Sequence, residues 1–456
     1  MEQKWRQMYL EKLKTPEEAV ELIEDGDGIS FPTINGTPRF LSKALADRIV
    51  KDEVKDLEFI VGLNLNAPDL IRPEVLSRVH YCGGYLSPFE RPAAQNNTMD
   101  VLVWRFFDDA RLMADVRGTN VCFMTAAPMD NQGYFSCALN CSHTYSLYQK
   151  LKRQGKPVKV FLEVNKNAPA CYGYNHFHIS EVTALIEADW DLIEIPSEAP
   201  NEKDTAIASY VAEYIPDGAT IQLGIGGLPN AVGKQLVNKK DLGCHSEMIV
   251  EAYLDLYKCG AMNNSKKSYL PDRFVATLMA GSKELYQWAD QNPSINIFGI
   301  DECANPNLIG LNDNFMAINS TLECDLSGQC ISESVGIIPY SGLGGQADFV
   351  QGAWQSKGGK AFLCMYSSYT DKEGTLRSKI SPVVNGWVSV TRNDVQYMAT
   401  EYGCVFLKGK TMFERVKLIT SIAHPDFREG LVYEAKKLGM IHSTTDINIK
   451  AMRKEI

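Results

Sequence analysis

Long apolar runs, paired cysteines and an excess of basic residues are all missing from this chain of 456 residues, and each absence closes off a class of function. The longest apolar stretches, such as 221–228 with its glycines, fall far short of the roughly 20 residues that span a bilayer, so no membrane association is expected. The N-terminus, MEQKWRQMYLEKLKTPEEAVELIEDGDG, has neither the apolar core nor the small-residue cleavage site of a secretory signal. A cytoplasmic protein is therefore expected. Lys and Arg number 46 against 56 Asp and Glu, for a net charge of −10. Nucleic-acid binders usually show a basic face, so no nucleic-acid partner is expected. An acidic average is still compatible with a local pocket for an anionic ligand.

Twelve cysteines are present, but no C-x-x-C occurs, and the closest pair, Cys137 and Cys141, has three residues between. A structural zinc site normally needs two close pairs, so no metal is expected. The thiols read as small buried hydrophobes in a reducing compartment. His176 and His178 form the one close pair among seven histidines. On a strand they share a face, but no third ligand stands near, and they read as satisfied polar side chains. No serine sits in G-x-S-x-G, the signature of a nucleophile elbow. No G-x-x-x-x-G-K-[ST] occurs, so the phosphate loop of nucleotide hydrolases is missing as well.

What remains is an ordinary globular composition, 45% hydrophobic and 22% charged, long enough for two or three domains. The segments 158–164, 219–225 and 360–366 are short apolar β-rich runs that predict buried strands. The segments 15–26, 204–218 and 413–422 carry helical periodicity with start and stop signals. Alternation of the two predicts an α/β fold with mostly parallel sheets covered by helices on both faces. A faint repeat runs through it. Ile23 and Gly26 match Ile215 and Gly218 at an offset of 192; Gly36, Pro38, Lys43 and Leu45 match Gly227, Pro229, Lys234 and Leu236 at 191. Two related halves follow, divided in the Pro- and Glu-rich stretch 195–204. The expected domains are 1–198 and 199–456.

Two loops hold G-x-G-G: Gly224-Ile225-Gly226-Gly227-Leu228, between a predicted strand and a predicted helix, and Ser341-Gly342-Leu343-Gly344-Gly345. Glycine lets backbone approach a ligand closely, and free N–H groups at a helix start hold negative charge. The dinucleotide fingerprint fails because Pro229 stands where its third glycine belongs. Taken singly, each loop is equally well read as a tight turn. About twenty residues after the first loop, Glu247 sits in DLGCHSEMIVEA among apolar neighbours with no lysine partner in view. Such a carboxylate is a candidate nucleophile or base. A surface glutamate at a strand edge has the same local sequence, and spacing does not separate the two.

These stretches do separate them as a set. GIGGLPNAVG from Gly224 and DLGCHSEM ending at Met248 resemble the family of acetyl-CoA hydrolases and CoA transferases, above all its butyryl-CoA:acetate and 4-hydroxybutyrate CoA-transferases. APMDNQGY around Asp130, INSTLECDLSGQ from Ile318, SGLGGQADF from Ser341 and IAHPDFR around His424 extend the match over most of the chain. The resemblance implies two open α/β/α domains with the active site between them. It implies that Glu247 is the catalytic nucleophile and that Gly224, Ile225, Gly226, Gly227, Leu228, Leu322, Gly345 and Lys372 contact CoA. CoA and small carboxylic acids would be substrates, with no tightly bound cofactor, and the protein would be a homo-oligomer. The implied reaction moves CoA between a short acyl-CoA and a carboxylate such as acetate through a glutamyl-CoA thioester. An acyl-CoA hydrolase using the same site and a non-catalytic CoA-binding regulator are the alternatives. The segment 80–120 departs from the family pattern and leaves the acid unassigned.

Overall fold

Strands such as Val121–Ala126 are apolar along their length because they are covered on both faces, as the pattern predicts for parallel sheets. The computed structural model describes residues 3–452. Its first sheet has seven strands, in spatial order Asp100–Val101, His80–Gly83, Glu58–Val61, Gly28–Phe31, Val121–Ala126, Lys159–Asn165 and Ala184–Ala188. Every pairing in it is parallel. Successive side chains alternate between two cores. Phe59, Val61, Phe123 and Phe161 pack with Leu41 and Leu45 of helix Arg39–Val50. Ile60, Cys122, Met124 and Leu162 pack with Leu147 and Leu151 of helix Ser142–Arg153.

The second sheet has six strands, Gly243–Cys244, Thr220–Leu223, Phe315–Ser320, Lys360–Cys364, Tyr397–Thr400 and Gly403–Phe406. All its pairings are parallel except the last, a tight antiparallel return. Helix Glu202–Ala212 covers one face through Ile207 and Val211. Helix Gln346–Gln355 covers the other through Phe349 and Val350. The core that holds Met124 and Leu162 of the first sheet continues without a break into Ile221, Leu223 and Ile318 of the second. Among the described residues, no helix is long and apolar enough to cross a membrane.

The predicted strands appear as Lys159–Asn165, Thr220–Leu223 and Lys360–Cys364, and two predicted helices as Glu202–Ala212 and Met412–Ser421. The helix expected over 15–26 is shorter. It runs Pro16–Val20 behind a Thr15–Glu18 capping box and then unwinds into the turn at Gly26. Both members of the repeat have the same local form: Gly26 (φ 83°) and Gly218 (φ 73°) turn the chain into Gly28–Phe31 and Thr220–Leu223, each an interior strand of its sheet. A left-handed turn of this kind favours glycine at both places.

Glu163 is the one acidic residue in its apolar strand. Its carboxylate, fully buried, accepts the backbone N–H groups of Arg39 (3.0 Å), Phe40 (2.8 Å) and Leu41 (2.9 Å) and the indole N–H of Trp190 (2.6 Å). A charge at a helix N-terminus meets both the free N–H groups and the helix dipole. Glu163→Ala would strand four buried donors and should cost about 3 kcal/mol or more in urea unfolding, with Glu163→Gln in between. A loss below about 1 kcal/mol would mean that the carboxylate does not anchor the helix.

Candidate active site

In open parallel sheets, ligands bind beyond the carboxyl ends of the strands. Here those ends converge on one cavity of about 190 Å³. Thr33, Leu63 and Gly84 enter it just past strands of the first sheet; Gly224 and Ser320 enter it from strands of the second. Glu247 lies on its wall, in the bend between Gly243–Cys244 and Met248–Ile249.

Several bonds fix that bend. His245 is fully buried; its Nε2 donates to the Cys303 carbonyl (2.8 Å), and Nδ1 accepts from the Asn312 amide (3.2 Å). Burial lowers the His245 imidazole to about 3, so it stays neutral. The Ser246 hydroxyl donates to the carbonyl of Leu223, the last residue before the first glycine loop (3.1 Å), and the Cys303 thiol donates to the Ser246 carbonyl (3.0 Å). The Glu247 carbonyl accepts from Thr277 (3.0 Å). The His-Ser-Glu order thus has a physical meaning: two buried residues fasten the backbone, and the third side chain is left to point into the cavity.

Glu247 meets the second glycine loop there. The Gly345 N–H donates to its Oε2 at 2.7 Å. A β-carbon at Gly345 would stand 2.5 Å from the same oxygen, so glycine is required by close approach. A β-carbon at Gly342 would run into the Gly84 carbonyl, so the loop passes backbone to backbone across the two sheets. Burial pushes the Glu247 carboxyl up to about 7; the Gly345 N–H pulls against this, and neighbouring Asp109 adds to it.

Of the residues expected to meet a cofactor, Gly224, Ile225 and Gly345 line the same cavity as Glu247. Gly226, Gly227 and Leu228 turn away from it: Gly226 (φ 111°) ends the loop, and helix Gly227–Gln235 begins at once. Leu322 is half-buried just beyond Ser320, outside the lining. Lys372 is exposed at the tip of the hairpin joining Ser368–Thr370 to Leu376–Ser378, where Asp371 holds the turn. Lys203 and Lys379 stand over the Tyr366 ring at 5.6 and 5.7 Å. Tyr366 in turn donates to Asp204 at 2.7 Å, against which Gly227 packs.

The sequence reading missed most of the opposite wall. Tyr85, Leu102, Trp104, Phe106 and Asp109 all reach the cavity from the segment 80–120, and His143 joins them from helix Ser142–Arg153. The departure of that segment from the family pattern was the one signal for them. His178, by contrast, bonds to Ser180 (2.7 Å) and packs edge-on against Trp5. The acceptor groups of Glu58, His80 and Cys82 lie within 4.8 Å of one another at a sheet edge, but the Arg117 guanidinium stands among them, bonded to all three.

Models of the N- and C-terminal domains of acetyl-CoA hydrolase/transferase match residues 1–69 and 281–435. The succinyl-CoA:cyclohexane-1-carboxylate CoA transferase of Geobacter metallireducens is 39% identical over 95% of this chain and 97% of its own. The chain belongs to the acetyl-CoA hydrolase/transferase family. Another member, the 4-hydroxybutyrate coenzyme A transferase of Clostridium kluyveri, is 36% identical over 95% of this chain and 99% of its own. The crystal structure of RipA from Yersinia pestis superposes with a TM-score of 0.89 at 35% identity, covering 96% of this chain and all of that one. The fold of two mostly parallel sheets is therefore shared with that structure.

The two glycine loops should respond differently to a methyl group. Gly345→Ala drives a carbon against the Glu247 carboxylate and should cut acyl-CoA turnover about 100-fold, the scale of a 1 Å misplacement, with circular dichroism unchanged. Gly226→Ala meets only the Glu198 carboxylate, at an ordinary contact distance of 3.7 Å, but a left-handed backbone, and should cost about 1 kcal/mol or more of stability instead. Near-normal kcat/KM in Gly345→Ala would show that the close approach is not needed for turnover.

Proposed function

We propose that this chain is a CoA transferase that moves CoA from a short acyl-CoA to a carboxylate such as acetate, through a thioester on Glu247. The observation that carries it is a carboxylate on a cavity wall, free of any lysine or arginine partner among the described lining residues and held by one backbone N–H. Full-length similarity to proteins named as CoA transferases supports the reaction type.

Glu247 attacks the acyl-CoA carbonyl, and collapse of the adduct expels CoA thiolate and leaves an acyl-glutamyl anhydride. The thiolate attacks the glutamyl carbonyl and expels the first acid as its carboxylate, leaving glutamyl-CoA. The acceptor carboxylate repeats the two steps in reverse and restores free Glu247. This is covalent, ping-pong catalysis. No proton enters the balance, so Glu247 must be ionised to begin. Each tetrahedral adduct places negative charge on an oxygen, and the Gly345 N–H already lies at bonding distance from one Glu247 oxygen; one such donor contributes about 3–4 kcal/mol in other acyl transfers.

Ile60, Val61, Leu102, Trp104 and Phe106 give the cavity apolar walls, and no Lys or Arg lines it among the described residues. These features favour a monocarboxylic acyl group with an apolar tail. Lys203 and Lys379, linked to the first glycine loop through Tyr366 and Asp204, are better situated for the phosphates of CoA than Lys372. Twelve free thiols suit a reducing compartment, and the reading is of a cytoplasmic homo-oligomer with domains 1–198 and 199–456.

Incubation with butyryl-CoA alone, then borohydride, should inactivate the enzyme and reduce Glu247 to an alcohol visible in its peptide mass. An unmodified Glu247 would sink the covalent route. kcat/KM should be lost as pH falls through about 7, where Glu247 takes up its proton. Glu247→Asp withdraws the carboxylate by one methylene and should cut transfer to acetate on the order of 100-fold, while a water in the vacated space sustains slow hydrolysis. If wild-type enzyme releases CoA equally fast without acid, the hydrolase reading replaces this one. If no Glu247-dependent turnover is found, the chain is a CoA-binding protein without catalysis.

A further inference from the structure

Glu247 shares its cavity with a second buried acid, Asp109, whose Oδ2 lies 3.3 Å from His143 Nδ1. We infer that Asp109 and His143 hold one proton between them, so that this wall carries no net charge and Glu247 can ionise beside it. They are positioning residues for the transfer, and the inference rests on the reading of Glu247 as nucleophile.

The hydrogen bonds of His143 carry the argument. Its ring is 2% exposed, and Nε2 lies 2.9 Å from the Phe31 carbonyl. A carbonyl only accepts, so Nε2 holds a proton. A neutral ring then presents a lone pair at Nδ1. Two groups face that lone pair: the Ser142 hydroxyl at 3.3 Å and the Asp109 carboxyl at 3.3 Å. The hydroxyl can donate to it; a carboxylate cannot. Lone pairs facing each other in a buried site repel, and one proton removes the repulsion. It does so either on Asp109, donating to the ring, or on Nδ1, donating to the carboxylate. Both forms leave the pair neutral. The residue before the ring, Ser142, is held at φ 47°, a left-handed conformation that costs a non-glycine residue about 1 kcal/mol or more.

A bare Asp109 carboxylate would compete with Glu247 for the single negative charge such a cavity tolerates. The other titratable groups around Glu247 are already neutral or lie further out. Asp348, on helix Gln346–Gln355, accepts from the Phe107 N–H (3.2 Å) and lies 4.0 Å from Arg105; burial raises it to about 8. Asp108 adjoins that pair and adds to the rise. The Cys303 thiol and the Tyr85 phenol are both held up by burial. Asp109 itself is raised to about 6 by burial, with His143 opposing. Its charge is therefore decided by the histidine.

The test is the acid limb of kcat/KM for butyryl-CoA plus acetate in four proteins. Asp109→Asn replaces one neutral pair with another, and its limb should stay within about half a pH unit of wild type. His143→Gln leaves the carboxylate unpaired, and its limb should rise by about one unit or more, with about fivefold or greater loss at pH 7 recovered at pH 9. The double variant should return the limb to the wild-type position. If His143→Gln fails to fold, the same argument requires Asp109→Asn to rescue it, because the lone buried charge is gone. A limb that drops by a unit in Asp109→Asn overturns the inference by showing a bare carboxylate. Failure of the double variant to restore the limb, or the fold, overturns it equally. Borohydride labelling of Glu247 in wild type at pH 9 keeps the two claims apart: without label the nucleophile reading has failed, and with label but no shift in His143→Gln only the pair has.

Discussion

One hydrogen bond, from the Gly345 N–H to Glu247 Oε2, joins segments 98 residues apart and sets the terms for everything around it. In the proposed mechanism the carboxylate must be dry enough to attack a thioester and yet remain charged. Burial pushes it toward the neutral form, and a single backbone dipole pulls it back. The surroundings are arranged to leave that balance undisturbed: a neutral His245 behind it, an acid beside it whose charge is cancelled by His143, and apolar side chains across the cavity. A lysine partner would hold the charge more firmly, but it would also tie up the nucleophile.

Much of the fold was legible because it depends on period and punctuation. Fully apolar runs marked strands covered on both faces, and Gly26 and Gly218 marked equivalent turns in the two halves. The helix over 15–26 was drawn too long because the acidic residues after Val20 fit a helix as well as a solvated turn. Glu247 was legible only through its neighbours in a motif; nothing in its own spacing separates it from a surface glutamate. What the motif encodes is the fastening of the bend, by His245 to Cys303 and Asn312 and by Ser246 to Leu223, and these partners are scattered from 223 to 312.

The opposite wall was illegible for a different reason. Tyr85, Trp104, Phe106 and Asp109 lie on short elements and connecting loops, where no periodicity reports which side chains face inward. Their convergence depends on the register of Glu58–Val61, His80–Gly83 and Asp100–Val101, which no local pattern specifies. A hairpin carries Lys372 outward, while Lys203 and Lys379 meet over the Tyr366 ring from separate parts of the chain, and no local pattern reports either placement.

The packing of Gly342 against the Gly84 carbonyl divides the cavity into two materials. On one side glycine backbone forms much of the wall, and its shape hardly changes when residues are exchanged. On the other side it is Leu102, Trp104 and Phe106, three bulky groups on a strand end and the turns after it. Remodelling for a wider or narrower acid therefore has one direction in which to proceed. The enzyme works like a fixed jaw closing on an exchangeable one, and new substrate preferences are to be sought by varying residues 102–106 while the glycine loops are left alone.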